Sequence, residues 1–343
     1  MKRLLSTLMT FVLALTAFAQ DEPNALRYYL KDGTTYEVLL SKIKQINKLN
    51  DACFVNEFND NTEKVILFSE LDSMVFVHVD IEPSDANVNR NTEPGTWRLE
   101  IPHLNAYGSN NLFIEKSTAD YGVTYALEWD CDKKSQRWTC YQFHNGIPDN
   151  GVGRNNDWQD DYDIPYAYRT HTNDYTGSGY SRGHMCMSND RQASEEQNKQ
   201  TFYMSNAHPQ HQNHNGGLWL TLENIVNKWG NNSSFRDTLY VVKAGTIDND
   251  QILGTTNSSK TSAHLLIPKY FYMAILCVKN GEYKAIGFWT EHTSESITKA
   301  KGRDYAVSIR ELEERTGIDF FCNLPDEIEE KVETNYNLSD WGL

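Results

Sequence analysis

The chain has 343 residues, of which 39% are hydrophobic and 12% aromatic. That is long and apolar enough for one large domain or two ordinary ones, and it excludes general disorder. The net charge of −15 argues against long-range capture of a polyanion, but the acidity sits at the two ends. The first twenty residues carry +2, residues 21–95 carry −7 and residues 304–343 carry −8, leaving −2 for residues 96–303, where the polar motifs lie.

The first nineteen residues read as a secretory signal. Lys2 and Arg3 precede an apolar run from Leu4 to Phe18, and Ala17-Phe18-Ala19 supplies the small-x-small cleavage pattern before Gln20. The run is short for a membrane span. The expectation is an exported chain with no span after cleavage, periplasmic or extracellular. An oxidising compartment permits disulfides among the six cysteines. Cys131 and Cys140 flank a polar turn between strand-like runs, which suggests a cross-strand bridge. No CxxC occurs, so a thiol-based zinc site is not expected.

Residues 20–93 read as a small β-rich accessory module. LRYYLKDGTTYEVLL forms two strands around Asp32-Gly33, and EKVILFSELDSMVFVHV forms a similar strand–turn–strand unit, a weak internal repeat. PSDANVNRNTEPG at 84–96 reads as a linker, with the second domain at 94–343 opening on RLEIPHL. VTYALEWD and RWTCYQFH predict a hairpin. Residues 145–181 form an irregular run rich in Asn, Asp, Gly and Tyr, a length that usually marks function. FYMSNAH reads as a strand. LWLTLENIVNKW is a helix with Leu218, Leu222, Ile225, Val226 and Trp229 at helical spacing, stopped by Gly230. LYVVKAGTI is a strand, and HLLIPKYFYMAILCV pairs with YKAIGFW around Asn280-Gly281. SIRELEERTG is an amphipathic helix ending at Gly317, followed by a short acidic helix, PDEIEEKVE. Many strands with a few helices make this an α+β domain.

The chemistry concentrates in DYTGSGYSRGH (174–184) and SNAHPQHQNHNGGLW (205–219), the second entering a helix that carries Glu223. His184 suits a general base acting on water. Asn215 offers a hard neutral oxygen of the kind Mg²⁺ accepts. Glu223 lies eight residues further on, about two helical turns, and reads as orienting water on the metal rather than as a second direct ligand. Cys186 beside His184 allows a thiol nucleophile, although a buried small residue is commoner. His208, His211 and His214, spaced by three, allow a zinc site, which Pro209 and the loop context disfavour.

These spaced motifs resemble the DNA/RNA non-specific endonucleases, the ββα-metal (His-Me finger) group that includes endonuclease G. SRGH (181–184), NAHPQ (206–210), Asn215, Trp219 and Leu222-Glu223 match the family pattern, as do DYTGSGY (174–180) and RELEERTGIDFFCNLPD (310–326). The resemblance covers roughly residues 95–332. It implies a ββα-metal domain with a mixed sheet, His184 as base, Asn215 as ligand of one Mg²⁺ or Mn²⁺, and Glu223 positioning water. Arg154 matches the arginine that holds the phosphate, with Arg169 as competitor. Arg182 either helps position phosphate or pins its loop. Ser181 stands where the family usually has Asp, a departure that puts the setting of His184 in doubt.

The expected activity is metal-dependent hydrolysis of DNA and RNA with little sequence preference. The alternatives are a nuclease-fold binding protein with weakened catalysis and a phosphodiesterase of smaller substrates. The sequence leaves open a homodimer and the partner of the N-terminal module.

Overall fold

A computed structural model describes residues 25–40, 43–48, 52–58, 63–77, 88–89, 95–104, 110–297 and 299–343. The signal-like segment and most of the predicted linker lie outside these residues. The chain divides into two compact units, one ending at Glu82 and one beginning at Pro83.

In the first unit, β1 (Ala25–Leu30) and β2 (Thr35–Leu39) form the expected hairpin. Gly33 takes φ 85° at its turn, which glycine adopts without a Cβ penalty. The second half does not repeat it. Two further strands, β3 (Ile43–Lys48) and β4 (Cys53–Phe58), precede β5 (Glu63–Leu67) and β6 (Leu71–Val77). β6 pairs with β1, and β5 with β4, giving sheets ordered β2-β1-β6 and β3-β4-β5. Crossed pairing lets Leu26, Tyr28 and Val38 of one sheet share a core with Ile66 of the other. Two separate hairpins would each be marginal in water.

The second unit is built on an antiparallel seven-stranded sheet. Its first strands are β7 (Asn111–Thr118), β8 (Gly122–Asp130) and β9 (Ser135–His144). After the irregular run come β10 (Ser181–His184), α1 (Glu195–Gln200), β11 (Ala207–Gln210) and α2 (Leu220–Gly230). β12 (Thr238–Gly245) re-enters the sheet, and β13 (Ile252–Thr255) and β14 (Leu266–Pro268) form a side ribbon. β15 (Tyr270–Lys279), β16 (Glu282–Glu291) and β17 (Ala306–Val307) complete the sheet, followed by α3 (Ile309–Thr316) and α4 (Asp326–Thr334). The order is β17-β16-β15-β12-β9-β8-β7. Its pairings are all antiparallel, more regular than the mixed sheet expected, because tight hairpins at Lys134 and Asn280-Gly281, with positive φ, join neighbours directly. FYMSNAH, expected as a strand, becomes one only at Ala207.

Alternation along the strands splits the core into two layers. Tyr125, Leu127, Trp129, Tyr141 and Val241 point to the face covered by α2. Trp138, Val242, Ala244 and Tyr272 point to the face covered by α3 and α4. Helix α2 presents Leu222, Val226 and Trp229 to the first layer, each fully or nearly buried. Each such side chain contributes about 1.5–3 kcal/mol by leaving water. Gly230 does not stop the helix by its own conformation. A Cβ there would lie 2.5 Å from the Phe143 ring, so the glycine is there for close packing, and Asn231 is the cap. Gly317 does end α3 as expected, at φ 65°, donating to Glu313 O.

The expected Cys131–Cys140 bridge is absent. Cys140 lies opposite Ala126, deep in the hairpin, while Cys131 lies just past Asp130 at its turn. The two also belong to opposite core layers, and each is a thiol outside any disulfide.

Candidate active site

The site grows from a short antiparallel ribbon and the helix that follows it. β10 pairs with β11 in the register Ser181↔Gln210 to His184↔Ala207. Gly183 is required there because Gln210 folds across it; a Cβ on residue 183 would lie 2.9 Å from Gln210 Cβ. Gln210 Nε2 then donates to His214 Nδ1 at 2.7 Å. Asn206 staples the chain after His184, accepting from Cys186 N at 2.8 Å and donating to the Cys186 and Thr201 carbonyls at 2.8 Å each. These contacts give physical content to the NAHPQ spacing. Ser181 Oγ donates to Gln212 Oε1 at 2.6 Å and so ties the start of β10 to the entry of the helix.

Residues His214–Trp219 form a π-helical turn that continues directly into α2. A π turn holds nearly one residue more than an α turn, so one of each spans about eight residues. Asn215 and Glu223, eight apart, therefore fall on the same helical face. Ideal α geometry would have left them about 80° apart.

His184 is 8% exposed, and its Nε2 is buried with no hydrogen-bond partner among the described residues. The imidazole is walled by Trp158 and Phe202, with ring centroids at 4.5 and 4.9 Å. Burial, reinforced by the positive charges of Arg154 and Lys243, pushes its pKa down to about 3. The ring is therefore neutral near pH 7. Arg154 sits with its guanidinium 4.9 Å from the Phe202 ring centre, held by Nε donating to Asn156 Oδ1 at 2.7 Å. It also feels the Glu223 carboxylate. Glu223 is buried, and burial pushes its carboxyl up to about 7 against the opposing pull of Lys243. Its Oε1 accepts from Lys243 Nζ at 3.2 Å.

His184, Arg154 and Glu223 thus share one electrostatic neighbourhood. Asn215 joins Glu223 through the common helix face. The other two arginines are occupied elsewhere. Arg182 Nη2 donates to Thr172 O at 3.0 Å, and its guanidinium lies over Trp158 and Tyr175, the loop-pinning alternative in geometric terms. Arg169 donates to the Ile164 carbonyl from both Nε (3.0 Å) and Nη2 (2.7 Å), and lines a separate cavity of about 780 Å³ with Lys133, Lys134, His171 and His264.

Two other sequence readings fail on geometry. Cys186 is fully buried with its thiol pushed up to about 12, which leaves no thiolate to act as nucleophile. The histidine trio does not converge on a metal. His214 accepts from Gln210 and donates from Nε2 to Thr290 Oγ1 at 3.2 Å. His208 is buried against Phe271 and Ser135. Trp158, Phe202, Asp190 and Lys243 do not stand out in the sequence. A lone lysine in the apolar strand LYVVKAG is the one visible signal among them.

The chain is similar to several known proteins. A family model described as DNA/RNA non-specific endonuclease matches residues 109–327. Nuclease EXOG, mitochondrial, of Danio rerio is 28% identical over 209 residues, covering 58% of this chain and 59% of that protein. Nuclease C1 of Cunninghamella echinulata is 28% identical over 225 residues, covering 63% and 85%. The chain spans under two thirds of the length of the EXOG relative. In the crystal structure of an EndoG/EndoGI complex, a chain 21% identical superposes with a TM-score of 0.53 over 65% of this chain and 92% of that one, a likeness of fold.

Proposed function

The chain belongs to the DNA/RNA non-specific endonuclease family, and from that premise we propose that it is an exported, metal-dependent endonuclease that hydrolyses DNA and RNA. The observation that carries the reading is the neutral imidazole of His184, its Nε2 unpartnered among the described residues, in the field of Arg154, which in turn feels the Glu223 carboxylate. The Lys2-Arg3 start and Ala17-Phe18-Ala19 support export.

In this reading His184 takes the proton of the attacking water, and Arg154 binds the phosphate and offsets charge gathered on its oxygens. Trp158 and Phe202 exclude bulk water from the imidazole. Glu223 accepts hydrogen bonds and orients water on the helix face it shares with Asn215. A neutral amide oxygen as ligand, with a buried carboxylate on the same face to hold the ion's water, fits a hard divalent ion. Asn215 would hold one Mg²⁺ or Mn²⁺, which supplies stabilisation of the charge on the leaving oxygen.

Supercoiled plasmid and RNA, each incubated with the protein and Mg²⁺ and then with EDTA, test this. Cleavage of both that stops with EDTA is expected, and no metal-dependent cleavage of either would refute it. His184→Ala should lower the rate by about 10²- to 10⁴-fold. A variant of near-native rate would place the base elsewhere.

A further inference from the structure

Strand β12 reads TLYVVKAG, and its side chains alternate between the two core layers. Leu239 and Val241 face α2, and by the same alternation so does Lys243. Lys243 is fully buried in an apolar layer, a position that lysine takes only when paired. Its Nζ lies 3.2 Å from Glu223 Oε1 and 3.9 Å from Asp190 Oδ2. Asp190 has closer partners. Tyr141 Oη donates to its Oδ2 at 2.6 Å, and Asn227 Nδ2 donates to its Oδ1 at 2.8 Å. The ammonium also lies 5.4 Å from the Tyr141 ring centre. The other titratable groups facing this cluster are His184 at the end of β10, Cys186 just after it, Arg191 beside Asp190, and Arg154, which feels the Glu223 charge.

Building on the nuclease reading, we propose that Lys243 is a positioning residue for Glu223. It anchors the Glu223 carboxylate from beneath the helix and keeps it ionised beside Asp190. Without the ammonium, two buried carboxylates would share one pocket, and the less solvated one would hold a proton. Glu223 would then donate where it must accept. His184 stays unprotonated down to about 3, so Glu223 is the group of the site that titrates near neutrality.

The test is the pH–rate profile of plasmid cleavage with Mg²⁺. Lys243→Met should move the acidic limb up by about 2 pH units and lower the rate at pH 7 by about 10- to 100-fold, with recovery on the alkaline side. Asp190→Asn should move the limb the opposite way. In a Glu223→Gln background, Lys243→Met should cost little more, because the group it acts through is gone. A separate readout needs no turnover. Infrared difference spectra of metal-free protein at pH 7 should show a carboxylic acid band gained in Lys243→Met and lost again in the double variant. An unmoved limb, or fully multiplicative losses in the double variant, would overturn the proposal. If Lys243→Met does not fold, the direction of the Asp190→Asn shift decides. If the wild type cuts nothing, the nuclease reading fails while the infrared titration still decides whether Lys243 controls Glu223.

Discussion

A base can act only if it is unprotonated at the working pH. Burial behind Trp158 and Phe202 does this for His184 and lowers its basicity at the same time. In the proposed reaction a bound phosphodiester would bring negative charge, which raises the affinity of a nearby imidazole for a proton, so basicity would return on binding. The same burial has a price for the fold, shared with His208 and His214, both pushed to about 3. Their folded pKa lies below the unfolded value near 6.5, so the unfolded chain binds protons that the folded one does not. Stability from these groups is present above about 6.5 and is lost as pH falls toward 3. His208→Leu should be nearly neutral at pH 8. Between pH 6.5 and 4 its stability should fall less steeply than the wild type's, by up to about 1.4 kcal/mol per pH unit, as read from urea unfolding at each pH. Equal slopes would show that His208 is not the group excluded from protonation. His184, Asn215 and Glu223 are legible in the sequence because they stand on a contiguous, spaced motif. Lys243 and Asp190 reach the site from elements distant in sequence, where only three-dimensional packing makes them partners.

The π turn at His214–Trp219 is the element on which the site depends. Sequence periodicity locates α2 correctly from Leu218 to Trp229, since Leu222, Val226 and Trp229 are buried as a stripe. It cannot register the extra residue, because hydrophobic spacing reports a face and not a hydrogen-bond step. Deleting Gly217 should relax the π turn to α geometry, since open space surrounds that residue. The helix would survive with Asn215 seven residues before Glu223 and only about 20° off its face. The expected outcome is native-like circular dichroism and melting with an Mg²⁺ requirement that changes little, because the shared face is kept. A sharply raised requirement would show that the site needs the π turn itself and not the shared face alone. The N-terminal unit shows the same limit in β form. Its hairpin turn at Asp32-Gly33 is readable, while β3 and β4 are not, because polar runs such as IKQINK become strands only through their pairing.

At the scale of the molecule, the question is where the nuclease unit begins. Composition suggests a boundary near residue 94, after the polar stretch, whereas the compact units divide at Glu82 and Pro83. Asn89 explains the difference. It is buried, its Nδ2 donates to Pro102 O at 3.0 Å, its Oδ1 accepts from Leu104 N at 2.9 Å, and its N donates to Asn323 Oδ1 at 3.1 Å. Asn323 in turn donates to the Thr96 and Arg98 carbonyls, so one asparagine joins the start of the unit to the segment after α3. A polar residue in a Pro/Gly-containing run looks like linker in sequence, because its partners lie far along the chain. A chain starting at residue 83 should keep the melting temperature and nuclease rate that the second unit has in the full-length protein. One starting at residue 95 loses these three hydrogen bonds, two of them buried, at about 0.5–1.5 kcal/mol each, which for a domain of this size lowers Tm by about 5–10 °C. Asn89→Ala in the full-length protein should reproduce most of that loss, because it removes two of the three bonds. Equal melting of the two truncated chains would place the boundary at 94 after all and reduce Asn89 to a surface contact.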